Sequence, residues 1–205
     1  QIVWPELNVN VVSTTEQWAG AAIAGPKSRD MLSKLYPDLD VSNDALPFMG
    51  YKEAEFFGVP SRIFRISFSG ELAYEINVKS DHGMFMWEKM MEVGKEFGNQ
   101  PYGTEALSTL RIEMGHVAGP ELDGRTIPSD VSLNGLVSKK KDFIGKNSLG
   151  REAFNVESRQ KIVGLIPIDR KSSIPEGSHI VQDQNAKLPN PKLGHVSSSC
   201  WSVEN

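Results

Sequence analysis

The residues with the most chemical content lie in one stretch, Phe64–Val78, which reads FRISFSGELAYEINV. It begins as a strand, breaks at Ser69-Gly70 and resumes as a second strand. Glu75 sits in that second strand between Tyr74 and Ile76. A carboxylate among apolar neighbours is costly unless something pairs with it. Glu75 is therefore the candidate ligand-facing acid, and the rest of the chain reads as the scaffold that presents it.

Other chemistries find little support. The glycines never form G-x-G-x-x-G after a strand, and no G-x-x-x-x-G-K-[ST] occurs, so no dinucleotide or phosphate loop is encoded. His82, His116, His179 and His195 are far apart and lack i,i+4 partners, which argues against a zinc site. Cys200 has no histidine nearby in sequence and reads as a structural thiol. Phe68-Ser69-Gly70 is not a nucleophile elbow, because G-x-S-x-G is absent. The net charge of −4 leaves no electrostatic footprint for nucleic acid. Lys139-Lys140-Lys141 reads as a solvated turn. No apolar run approaches the ~18 residues of a membrane span. One cysteine in 205 residues excludes an internal disulfide framework and fits a reducing, cytoplasmic compartment. Residues 1–25 lack the basic and apolar regions of a signal peptide. The start at Gln1 and the stop soon after a strand-like segment suggest part of a longer polypeptide.

The elements that must position Glu75 follow from periodicity. Asn8–Ser13 alternates as a half-buried strand, and Trp18–Ala24 is a short apolar run fit for a buried one. Gly25-Pro26 turns the chain into a helix over Lys27–Tyr36, with Met31, Leu32 and Leu35 on one face. Leu46–Gly58, Ser61–Phe68 and Ala73–Val78 predict three strands of an antiparallel meander, with a turn at Gly58 and Pro60. Ser80 or Asp81 caps a helix over His82–Phe97, closed by Gly98; its methionines read mostly as core. A further helix covers Thr104–Gly115, with Leu107, Leu110 and Met114 as its apolar stripe. Lys146–Phe154 predicts a short helix. Ile162–Ile168, Gly177–Gln182 and Leu193–Ser199 predict strands, with Asp183–Pro191 a polar hairpin loop. The change of character places a domain boundary near Asn155–Gln160.

Four segments carry a family resemblance. FSGELAYEI (Phe68–Ile76) resembles Y-T-G-E-x-G-[FY]-E-[IV] of the aminomethyltransferase fold, the glycine-cleavage T-protein family. TLRIEMG (Thr109–Gly115) is similar to T-L-R-L-E-A-G, DFIGKNSL (Asp142–Leu149) to D-F-I-G-[KR]-x-x-L, and GHVSS (Gly194–Ser198) to G-x-V-[ST]-S. Order and spacing agree over nearly the whole chain. Within the family, AGPKSRDML (Ala24–Leu32), LPFM (Leu46–Met49) and PYGTEALSTLRIEMGHVAG (Pro101–Gly119) look like the branch formed by the folate domains of heterotetrameric sarcosine oxidase alpha subunits. Dimethylglycine oxidases and dehydrogenases are similar.

The resemblance implies an α+β fold with antiparallel sheets and flanking helices over residues 1–155, incomplete at the N-terminus. Residues 156–205 would be part of a small C-terminal β-barrel. It implies that tetrahydrofolate accepts a one-carbon unit, that Glu75 binds the pterin, and that Phe68, Tyr74 and Arg111 belong to the cofactor site. An ionised carboxylate only accepts hydrogen bonds, and a pterin offers adjacent N–H and NH2 donors. Two positions depart from the T-protein pattern: Phe68 stands where the motif has tyrosine, and Leu107 where T-proteins have a folate-holding arginine. The family's catalytic aspartate falls upstream of Gln1, and Asp30, Asp38 and Asp40 lie in no matching motif. FAD, FMN and NAD, and the other subunits of a hetero-oligomeric oxidase, would engage the complete enzyme and not this segment. The alternatives are a T-protein-like aminomethyltransferase, a dimethylglycine oxidase or dehydrogenase folate domain, and a folate-fold module kept for subunit assembly.

Overall fold

A computed structural model describes residues 5–202. Packing divides the chain into two compact units, Gln1–Gly103 and Thr104–Asn205. The sequence-based boundary at residues 155/156 falls inside the second.

The first unit is a four-stranded antiparallel sheet with helices on one face. Its strands are β1 (Trp18–Ala24), β2 (Tyr51–Phe56), β3 (Val59–Phe64) and β4 (Ala73–Lys79), in the order β1-β4-β3-β2. The meander β2-β3-β4 is present as the turn signals predict. β1 closes onto the free side of β4, pairing from Trp18↔Lys79 to Ala24↔Ala73. β4 is therefore an interior strand. Its burial alternates: Tyr74, Ile76 and Val78 are buried, while Glu75 and Asn77 are half-buried on the opposite face. Period-two geometry makes that division.

The buried face packs on α1 (Ser28–Leu35) and α2 (Gly83–Gly94). Helix α1 contributes Met31, Leu32 and Leu35, and α2 contributes Met86 and Met90, spaced i,i+4. These meet Ile23, Phe56, Ile63, Tyr74, Ile76 and Val78 in one core. Each fully buried apolar side chain contributes on the order of 1.5–3 kcal/mol, so the helices hold the sheet from one side. Of the other α2 methionines, Met84 is exposed. Tyr36 joins the core, donating to or accepting from Ser61 Oγ at 2.9 Å; burial pushes its pKa up to about 12 despite that bond.

Several sequence expectations change in the first unit. Asn8–Ser13 forms no strand; these residues are exposed, and alternation marks a sheet face only where a partner ladder exists. The strand expected from Leu46 begins at Tyr51, because Gly50 N donates to Pro47 O at 2.7 Å and turns the backbone. Pro60 lies in β3, and the two-residue loop is Phe57-Gly58, with φ of 49° and 83°. Positive φ at both positions suits the right-handed twist of the paired strands. β3 ends at Phe64, four residues early; Arg65 N still donates to Gly50 O, and the chain then leaves the sheet. Pro26 precedes the first helical turn, since Lys27 is the N-cap of α1. Ser80–His82 is a 3-10 turn, which makes His82 the N-cap of α2.

The second unit contains α3 (Thr104–Met114), a single-turn α4 (Lys146–Leu149), several 3-10 turns and a two-stranded hairpin, β5 (His179–Val181) with β6 (Lys192–His195). The polar stretch Asp183–Pro191 is the hairpin loop, as its composition predicts. The side chain that α3 buries is Arg111. Leu107 and Leu110 are half-buried, and Met114 is exposed. Ile162–Ile168 forms no strand: Ile162 N donates to Asp130 O at 2.7 Å, and no described strand pairs with the segment.

Among the described residues no helix is long and apolar enough to cross a membrane, and no three His, Cys, Asp or Glu side chains gather as metal ligands. Lys139, Lys140 and Lys141 are exposed, with the last two backbone N–H groups turned onto Ser138 Oγ.

Candidate functional site

Glu75 lies at the middle of the sheet face opposite the helices. Its register partners are Ala22 on β1 and Phe64 on β3. The same face carries Gly20 and Ala24 on β1, Asn77 and Lys79 on β4, Arg62 on β3, and Tyr51 and Glu53 on β2, as the pairings require. On the β1 side the neighbours are small, with Gly20 and Ala22 exposed. On the β3 side Phe64 packs against Tyr51, ring centroids 5.0 Å apart and planes tilted by 38°. Beyond Asn77 a third feature bounds the face: the Arg62 guanidinium lies 4.0 Å from the centroid of the Trp18 ring. Arg62 rises from β3 and Trp18 from β1, so the stack bridges β4 between Asn77 and Lys79. An Arg62–Glu53 ion pair at 3.7 Å adds to it. A shallow cavity of about 380 Å³ continues past the stack, lined by Trp18, Glu53, Arg62 and Lys79 among others.

The Glu75 carboxylate makes no hydrogen bond or ion pair with another described residue. Flanked by small residues on one side and an aromatic pair on the other, it can accept two donors from a planar molecule laid on the sheet.

The other sequence candidates are placed differently. Phe68 lies in the loop between β3 and β4 and is 40% exposed. Tyr74 is fully buried on the helix-covered face, away from Glu75; its hydroxyl has no hydrogen-bond partner among the described residues. Its neighbour relation to Glu75 in sequence is what puts it on the opposite side of the strand.

Arg111 is committed to a buried network of the second unit. Nη1 donates to Glu121 Oε2 at 2.9 Å, and Nη2 donates to Ser198 Oγ at 2.6 Å. Ser198 Oγ donates in turn to Glu121 Oε1, and Ala118 N donates to Oε2 at 2.8 Å. Burial pushes the Glu121 carboxyl up, but the hydrogen bonds from Ser198, Ala118 N and Ser197, with the Arg111 charge, hold it below the usual range. Two sequence motifs 87 residues apart, TLRIEMG and GHVSS, meet here through Arg111 and Ser198. A second anchor joins Asp130 to Arg159, whose Nε donates at 3.0 Å, with Ile127 N on the other oxygen at 3.0 Å. These bonds, the Arg159 one first, hold the Asp130 carboxyl low. Burial pushes the Cys200 thiol up, against the thiolate that a nucleophile needs.

Sequence reasoning missed Phe64, Tyr51, Gly20 and Asn77. The parity of Ser61–Phe68 carries a signal for Phe64, which alternates with the core residue Ile63. The pairing of β1 onto β4 that brings Gly20 opposite Asn77 has no local signal.

Comparison with known proteins agrees with the motifs. Residues 2–141 match the GCVT N-terminal domain. The chain is 44% identical over 205 residues to the sarcosine oxidase subunit alpha of Rhizobium meliloti (strain 1021), covering 98% of this chain and 21% of that protein. The subunit alpha of Corynebacterium sp. (strain P-1) is also 44% identical, over 203 residues, with 97% and 21% covered. An aminomethyltransferase of Chloroherpeton thalassium (strain ATCC 35110 / GB-78) is 32% identical over 200 residues, with 97% and 52% covered. The chain thus spans about a fifth of the length of its sarcosine oxidase relatives. With the family model matched over more than half its length and the motifs in order, the chain belongs to the GCVT family.

Proposed function

We propose that this chain is the tetrahydrofolate-binding portion of a sarcosine oxidase alpha subunit. There it would accept the one-carbon unit released from sarcosine, leaving glycine, 5,10-methylenetetrahydrofolate and hydrogen peroxide. The observation that carries the reading is the Glu75 carboxylate, without a partner among the described residues, at the centre of an interior strand and on the face opposite α1 and α2. The similarity to two sarcosine oxidase alpha subunits supports the choice within the family.

The residues fit a reduced pterin. Glu75 accepts its paired N–H donors, and the small side chain of Ala22 opposite it leaves room for the ring. Phe64 and Phe68 supply apolar contact. Tyr74 supports the strand from below, and Arg111 holds the second unit together. Tetrahydrofolate itself supplies the nitrogens that take up the carbon. The aspartate that acts beside those nitrogens, and the FAD, FMN and NAD sites, belong to other parts of the complete protein, which works with further subunits in the cytoplasm. Residues 1–155 are the folate-binding domain and 156–205 begin a C-terminal barrel, whose first hairpin is β5-β6.

Titration of the full-length protein with tetrahydrofolate tests the reading. Glu75→Gln removes the charge from the bond and should cost about 1.5–3 kcal/mol of affinity; equal affinity would sink the assignment. A second reading, a folate-fold module retained for assembly, is favoured by Leu107 and Phe68 where T-proteins have polar groups. On that reading the assembled oxidase releases formaldehyde at the same rate with and without folate.

A further inference from the structure

The pairing of β1 with β4 places Gly20 opposite Asn77. A Cβ at position 20 would stand 2.9 Å from Asn77 Oδ1 and 3.6 Å from its Cγ. The Asn77 carboxamide therefore leans over β1, into the notch that the missing side chain leaves. Glycine inside a strand weakens it, and its presence marks a close approach; here the approaching group is an amide.

That amide is poorly explained as structure. Asn77 is half-buried, yet its side chain makes no hydrogen bond with any described residue. It lies two residues from Glu75 on the same face, about 7 Å along the strand. Glu75 also lacks a partner among the described residues. Across β4 the Arg62–Trp18 stack walls off the Lys79 side, so the amide and the carboxylate share one floor. An amide offers both a donor and an acceptor, whereas a carboxylate only accepts. The two together can read a ligand edge that alternates donors with a carbonyl.

We infer that Asn77 is a second ligand-contacting residue, held in place by Gly20, which reads the carbonyl and N–H groups of a planar heterocycle beside Glu75. This rests on the folate-binding reading and names a recognition element for that site.

The test is a titration of the full-length protein with tetrahydrofolate, in wild type, Asn77→Ala, Gly20→Ala, the Gly20→Ala/Asn77→Ala double variant and Glu75→Gln. Asn77→Ala should weaken binding about three- to tenfold, the range of a neutral hydrogen bond, with no change in thermal midpoint, since the amide has no partner to lose among the described residues. Gly20→Ala should weaken binding by displacing the amide, and should add nothing once Asn77 is alanine. Wild-type affinity in Asn77→Ala with weakened binding in Glu75→Gln overturns this inference and leaves the folate reading intact. Additive losses from Gly20→Ala and Asn77→Ala overturn the positioning role of Gly20. Unchanged affinity in both Glu75→Gln and Asn77→Ala overturns the reading and the inference together.

Discussion

Glu75 lies inside a family motif and Glu121 two residues past the end of one, and their surroundings are opposite. Glu121 is enclosed, with a side chain 4% exposed, and every direction around it is filled: Arg111, Ser198 and the Ala118 N–H. Glu75 stands on an interior strand paired on both sides, with its carboxylate left without a donor among the described residues. A folded protein satisfies its buried polar groups. The acid that is satisfied holds the fold; the acid that is presented without a partner is available to a ligand.

This contrast can be broken in both directions. The largest effect is on stability. Arg111→Met strands the Glu121 carboxylate and should cost about 3–5 kcal/mol, as breaking a buried ion pair does, read as a lower urea midpoint. Glu75→Gln should change the same midpoint by less than about 0.5 kcal/mol while costing folate affinity as given above. A variant pair with the reverse pattern would dissolve the distinction. Acid should weaken the second unit. Glu121 and Asp130 titrate below their ordinary values of 4.5 and 3.8 when folded, so their stabilisation is fully present above those values and is lost as pH falls through the depressed ones. Urea unfolding should show a falling midpoint below pH 4.5, and Glu121→Gln should flatten that fall. The smallest effect is at Phe68. Restoring the motif's tyrosine with Phe68→Tyr should tighten tetrahydrofolate by about 0.5–1.5 kcal/mol, one hydrogen bond, without moving the urea midpoint.

Much of the first unit was legible because its elements are punctuated locally. Trp18–Ala24, the helix after Pro26 and the two strands around Phe57-Gly58 each carry their own stop signals. Glu75 could be singled out because it stands in the FSGELAYEI motif with an apolar residue on either side. Its actual neighbours could not, since Ala22 comes from a strand about fifty residues away and the choice of β4's second partner is a long-range decision. Tyr74 is set apart from Glu75 for a related reason: adjacency along a strand means opposite faces. In the second unit, irregular backbone replaces strong periodicity. Arg111 was legible as a motif residue, but its role depends on Glu121 and on Ser198, which no nearby residue announces.

The interior position of β4 has a kinetic consequence. Its amides bond to β1 on one side and β3 on the other, so the strand opens only when one of those ladders ruptures. Deuterium should enter Glu75–Val78 among the slowest sites of the first unit, with or without ligand. A molecule arriving at Glu75 would meet a carboxylate whose backbone is already ordered, and its association would carry no folding step.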